Sequence, residues 1–166
     1  GVAGTYFGGN CGGCIVFTWF PFLWGNGEEV ISADGTTSLL NTDSWKAVLD
    51  TFAELEAAGA VGVGSKEETG ATWTAAFNAG KVGVMPFPAG VVQAAVDAGV
   101  DIGVAGIPGI DGGQSTFLGG DALGISKDSE HVDQAWNFLA WTTTEEAQLG
   151  YAKAGFTPGR NSLSDN

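Results

Sequence analysis

The stretch from residue 115 to 150 constrains the fold more than any other part of the chain. Ser115-Thr116-Phe117-Leu118-Gly119-Gly120-Asp121-Ala122-Leu123-Gly124-Ile125-Ser126 predicts a strand over 116–126 with a glycine-rich start, and Asp128-Ser129 is expected to open a helix behind it. That helix carries Val132, Ala135, Trp136 and Leu139 at three- and four-residue spacing, the pattern of a stripe turned to a core. Thr144-Glu145-Glu146 then begins another helix, with threonine as cap and two carboxylates at the positive end of the helix dipole. A strand followed by helices asks for an α/β layer, in which the strand is covered by the helices' apolar faces.

The rest of the chain continues the alternation. Trp45, Val48, Leu49, Phe52 and Leu55 predict a helix over 43–58, with Thr42 or Asp43 as its cap and Gly59 at its end. A second helix is expected over 69–78, bearing Trp73, Ala76 and Phe77 and stopped by Gly80, and a third over 89–98, closed by Gly99. Residues 81–86 and 102–105 read as short strands, 110–114 as turn chemistry and 155–160 as a loop. Between 14 and 23 the residues fit two patterns. Their β-branched and aromatic content suits a strand, yet Ile15, Trp19, Phe22 and Leu23 also share one helical face, and Pro21 disturbs either.

No repeat or charge block divides the 166 residues, so one domain over 1–166 is expected, long enough to bury roughly 70% of its unfolded surface. Nineteen acidic against six basic residues give a net charge of −13, which repels phosphate backbones and anionic membrane surfaces and argues against nucleic acid as a partner. The longest apolar run, 15–24, is broken by Thr18 and Pro21 and falls short of the roughly 20 residues that span a bilayer. Residues 1–6 lack the basic start and apolar middle of a signal peptide, which fits a processed, an intracellular or a partial chain. Twenty-eight glycines and six tryptophans suit recognition of a neutral polar ligand, and equally an aromatic core.

Several residues carry candidate chemistry. In Gly119-Gly120-Asp121 the glycines let backbone groups approach a ligand and the carboxylate can accept hydrogen bonds from neighbouring hydroxyls; a β-bulge with a capping aspartate is the structural alternative. Arg160 follows a Pro-Gly turn, where it can clamp hydroxyls or simply face solvent. Trp19, Trp24 and Trp73 lie among apolar neighbours and read as core. Cys11-Gly12-Gly13-Cys14 fits a redox dithiol, two zinc ligands or a small disulfide loop. A zinc site needs four ligands, and with His131 the sole histidine and no further cysteine, no metal site is expected. No nucleophile elbow, histidine-paired nucleophile or phosphate loop is present, and Asp121 has no evident carboxylate partner for glycoside hydrolysis, so neither catalysis nor a cofactor is expected.

The segment 73–85, in which Gly80-Lys81 leads into Val82-Gly83-Val84-Met85, resembles the extracellular solute-binding proteins of carbohydrate ABC importers, the maltose-binding-protein-like family. Gly106-Ile107-Pro108-Gly109 with Asp111-Gly112-Gly113, then 117–126, Ala135-Trp136-Asn137-Phe138-Leu139 and Thr144-Glu145-Glu146-Ala147-Gln148, are similar to that family in order and spacing. The segment 17–27 is similar to its helix that enters the second lobe, which favours a helix containing Pro21. The resemblance implies an α/β fold, a single layered lobe of a two-lobe periplasmic-binding-protein-like fold: residues 1–166 correspond to the second, C-terminal lobe, and the first lobe is absent.

The same resemblance implies non-enzymatic binding of a sugar or oligosaccharide for import, with the ABC permease met by the full-length protein and the missing N-terminal lobe as the other wall of the cleft. It implies an extracellular or periplasmic setting, a lipidated N-terminal anchor outside this chain, and a structural disulfide between Cys11 and Cys14. Gly119, Gly120 and Asp121 become its expected ligand contacts. Phe87 falls where the family often places an aromatic platform, although Ala89 and Gly90 stand where its tryptophan is expected. Asn10 and Phe17 sit near the start of the helix entering the lobe, whose free N–H groups face the cleft in such a fold. The alternatives are a secreted carbohydrate-active enzyme domain and a self-associating interaction domain.

Overall fold

A computed structural model describes residues 1–163. Among the described residues seven α-helices run in chain order: α1 (Gly12–Thr18), α2 (Phe20–Trp24), α3 (Asp43–Ala57), α4 (Ala75–Asn78), α5 (Val92–Asp97), α6 (Val132–Thr142) and α7 (Glu145–Lys153). One antiparallel ladder pairs β1 (Ile107–Pro108) with β2 (Gln114–Ser115), so the fold is mixed α/β with little sheet. The chain divides into two compact units, one of Gly1–Phe87 with Ala94–Leu118, the other of Pro88–Gln93 with the residues from Gly119 onward.

In the first unit the backbone around 3–5 lies parallel to two other segments. Ala3 bridges Val82 and Thr5 bridges Val61, with Gly83 N–H donating to Ala3 O at 2.8 Å and Gly62 N–H to Thr5 O at 2.9 Å. The expected strand over 81–86 is therefore reduced to one bridge, because only Val82 and its neighbours find a partner. Buried side chains of this unit form two clusters. Tyr6, Trp73, Val82 and Met85 make one; Phe7, Leu23, Val48 and Phe52 make the other, joined by the half-buried Trp19 and Trp45. Trp19 stacks on Phe52 at 4.2 Å, and Phe7 meets both rings edge-on.

Helix α3 forms as its periodicity predicts. The Thr42 hydroxyl accepts from Trp45 N–H at 3.2 Å, and Val48 and Phe52 are buried on its inner face. The ambiguous 14–23 segment is helical but interrupted. A proline at 21 would press its ring against the Phe17 carbonyl in an unbroken helix, so α1 ends and α2 restarts at Trp19, with Pro21 in the first turn, where a missing N–H costs nothing.

Three expected elements shrink, each for a local reason. The helix over 69–78 survives only as α4, because the Glu68 carboxylate takes Gly70 N–H, Thr72 N–H and the Thr72 hydroxyl, holding 69–72 as a loop. Gly70 has φ of +96° there, a left-handed conformation that no helix interior contains. The strand over 102–105 is absent, and the ladder starts instead at Ile107. The strand over 116–126 is absent too: β2 stops at Ser115, and among the described residues 117–125 has no backbone hydrogen-bond partner to hold a ladder together.

In the second unit α6 starts at Val132, three residues beyond its expected opening at Ser129, and α7 starts at Glu145, where the Thr144 hydroxyl accepts from Ala147 N–H at 3.3 Å. The predicted core stripe of α6 is only partly covered: Ala135 and Leu139 are half-buried, whereas Trp136 is 64% exposed. The tail is tied back by Gln148, which donates to Thr142 O at 2.7 Å and accepts from Gly159 N–H at 2.6 Å. Among the described residues no helix is long and apolar enough to cross a membrane.

Candidate functional site

One close backbone contact and one side-chain hydrogen bond build the candidate site in the first unit. Helix α2 ends at Trp24-Gly25, and the hairpin carrying β1 and β2 turns at Gly109 directly against it. A Cβ on Gly25 would stand 2.7 Å from Gly109 N and 2.8 Å from its Cα, so only glycine at 25 lets the two segments meet. Asn26 secures the contact by accepting Asp111 N–H at 3.2 Å. With the hairpin held there, the residues that leave β2 run past the end of α2.

The result is an open groove of about 430 Å³ lined by Trp24, Glu29, Ser115, Thr116, Phe117 and Leu118. The Trp24 and Phe117 rings lie 6.2 Å apart at an interplanar angle of 28°, and Phe17 meets Phe117 edge-on at 4.8 Å. Two aromatic residues thus share the groove lining with Ser115, Thr116 and one acidic residue, Glu29. Such a surface can cover the C–H face of a ring while polar groups bond its rim.

A second groove of about 370 Å³ lies over Phe7, Trp19 and Phe52. Its rim polar groups, Glu56 and Lys66, are already paired with each other. The first groove's acidic residue, Glu29, is in no ion pair among the described residues, whereas the second groove's two charged residues pair with each other.

The residues expected from sequence fall in different places. Phe17, 44% exposed, adjoins the Trp24–Phe117 groove. Asn10 is exposed, and its backbone N–H donates to Glu68 O at 3.0 Å. Phe87 is half-buried, with its ring 4.9 Å from Phe77 and packed against the Tyr6–Trp73 cluster. Gly119, Gly120 and Asp121 open the second unit and are exposed. Arg160 belongs to that unit too, where one guanidinium N–H donates to Thr143 O at 2.8 Å. Trp24, read from sequence as core, instead lines the groove. With Glu29 and Phe117 it is what the sequence reading missed. The signal was there: an aromatic helix end followed by Gly25 and, four residues on, by Glu29.

Cys11 and Cys14 are joined, with sulfurs at 2.00 Å and Cα atoms 5.2 Å apart, so the disulfide alternative holds. Both sulfurs lie against Gly70, where a Cβ would come within 3.2 Å of each. The bridge therefore packs on the loop that Glu68 organises. Glu68 is buried and accepts the Thr72 hydroxyl at 2.6 Å, Gly70 N–H at 2.7 Å and the Tyr6 hydroxyl at 3.3 Å. These bonds, that from Thr72 foremost, outweigh the opposing effect of burial and hold its carboxyl below the ordinary glutamate range. Burial first, then the Glu68 charge, pushes the Tyr6 phenol up.

Compared with known proteins, residues 13–166 match the family described as bacterial extracellular solute-binding protein. No curated protein matches the chain.

Proposed function

The chain belongs to the bacterial extracellular solute-binding proteins, and on that premise we propose that it binds a sugar or oligosaccharide outside the cytoplasmic membrane for uptake by an ABC importer. The observation that carries this reading is the Trp24–Phe117 groove, where two aromatic residues, Ser115, Thr116 and Glu29 line one space. A pyranose has an apolar face and a hydroxyl rim, and the groove supplies a counterpart for each. Phe17 extends the aromatic wall. Gly119, Gly120, Asp121, Asn10, Phe87 and Arg160 remain proposed contacts, Asp121 as an acceptor for hydroxyls and Arg160 through the donors that Thr143 does not use.

In this reading the chain is one lobe of a two-lobe binding protein, held at the membrane by a lipidated N-terminus and docked on the permease by the full-length molecule. A ligand that meets one wall of a cleft loses the contacts of the other, so binding by this chain alone is weak, roughly millimolar. The function is binding without turnover. Glu29 is the one carboxylate among the groove's lining residues, whereas glycoside hydrolysis uses two flanking the bond.

Calorimetric titration of glucose, maltose and cellobiose against the chain and its Trp24→Ala variant tests the proposal. Weak binding that the variant loses supports it; affinity unchanged by the variant, or tight one-to-one binding, contradicts it. A second reading, self-association, is favoured by Trp136, Phe138 and Trp141 on α6, which are 64%, 59% and 50% exposed. Sedimentation over a concentration series distinguishes it, since a monomer at high concentration excludes that reading.

A further inference from the structure

We infer that the Trp24–Phe117 groove selects a saccharide carrying a protonated amine over its neutral counterpart. The inference rests on the sugar reading of this groove and adds a charge to its ligand. Glu29 lines the groove and no lysine or arginine does. Of the first unit's three lysines, Lys46 pairs with Asp43 and Lys66 with Glu56, and neither these nor Lys81 lines this groove. The net charge of −13 adds a long-range field of the same sign. A cation entering the groove therefore meets favourable potential from the carboxylate and from the whole chain, and an anion meets repulsion from both.

The rings reinforce the preference. The face of an indole or phenyl ring carries negative charge density, and an ammonium group within about 6 Å of the ring centre is attracted to it. Trp24 and Phe117 line the same groove as Glu29, so a ligand held there meets aromatic and acidic residues together. A hydroxyl in the amine's position can hydrogen-bond Glu29 but, carrying no charge, is held by the ring quadrupole more weakly than an ammonium. An acetylated amine keeps the bulk and loses the charge.

Three disaccharides of one shape test this: the β-1,4 dimer of glucosamine, its N-acetylated form, and cellobiose, each titrated at neutral pH against the chain and against Glu29→Gln. The expected result is about tenfold tighter binding of the free amine than of the other two, a gap that closes in Glu29→Gln and narrows as salt rises. Equal affinity for all three, or a gap that persists in Glu29→Gln, overturns charge selection while leaving the groove a sugar site. Binding of none of them overturns both. A linear polyamine forms the last arm: if spermidine binds as tightly as the amino disaccharide, the site recognises charge alone and the saccharide assignment falls. Glu29 is exposed, so its replacement leaves the fold intact, which circular dichroism verifies.

Discussion

Gly25 meets Gly109 backbone to backbone, at a separation where a single Cβ on residue 25 would stand 2.7 Å from Gly109 N. This contact sets the approach of the end of α2 to the β1–β2 hairpin, and with it the placement of Phe117 beside Trp24. Gly25→Ala should force the hairpin away. The expected cost is about 1–3 kcal/mol of stability, as for other overpacked sites, with saccharide affinity in the groove reduced several-fold. Thermal melting and a sugar titration check both; an unchanged affinity means the contact does not shape the site.

Glu68 organises the loop between Gly64 and α4, accepting from Thr72, Gly70 and Tyr6 while buried. Glu68→Gln keeps the shape, removes the charge and sets an amide N–H₂ where an acceptor stood. A loss of about 2 kcal/mol or more is expected, which corresponds to a fall in Tm of roughly 4–8 °C.

The same carboxylate makes stability pH-dependent in a definite direction. Its folded pKa lies below the unfolded value of about 4.3, so its contribution is complete above that pH and fades as pH falls through the folded value. Tyr6, whose phenol is raised, behaves in the opposite sense: its contribution is complete below about pH 10 and fades as pH rises through the folded value. Urea titrations from pH 2 to 7 should show the gap between the parent and Glu68→Gln widest at neutral pH and narrowing in acid. A gap that grows on acidification contradicts the assignment.

The Cys11–Cys14 bridge lies on Gly70 and precedes α1, so Cys14→Ser should release 8–12 and 68–72 together. Loop-closure scaling for so short a ring gives about 2 kcal/mol. Limited proteolysis should cut these two segments faster in the variant, with the Phe7–Leu23–Val48–Phe52 cluster still protected from hydrogen exchange. Loss of protection throughout that cluster means the bridge supports the core as well.

Helices with full periodicity and a cap were legible: α3 and α7 carry their own start signals, and the threonine hydroxyls at 42 and 144 make the expected bonds. The restart at Trp19 followed from proline's geometry once the segment was taken as helical. Strands were less legible, because a strand's stability lies in a partner segment that local sequence does not contain. Val82 found Ala3, but 102–105 and 117–125 found no such backbone partner among the described residues. The loop at 69–72 was hidden for a related reason. Its determinant is a buried carboxylate whose bonds to Tyr6 span the chain from residue 68 back to residue 6. Of the site, Phe17 was visible through family resemblance, whereas Trp24 and Phe117 share a groove only because Gly25 and Gly109 touch.

A saccharide bound in the proposed groove lies against Trp24 and Phe117. The chain has six tryptophans, so a ¹⁵N-labelled sample offers six indole N–H resonances, each assignable by replacing one tryptophan with phenylalanine. Titration with the saccharide that calorimetry shows to bind should move the Trp24 resonance in a saturable way at roughly millimolar ligand, with buried Trp73 scarcely affected. Saturable shifts at Trp136 and Trp141 on α6 with Trp24 unmoved would place the ligand elsewhere and contradict the account.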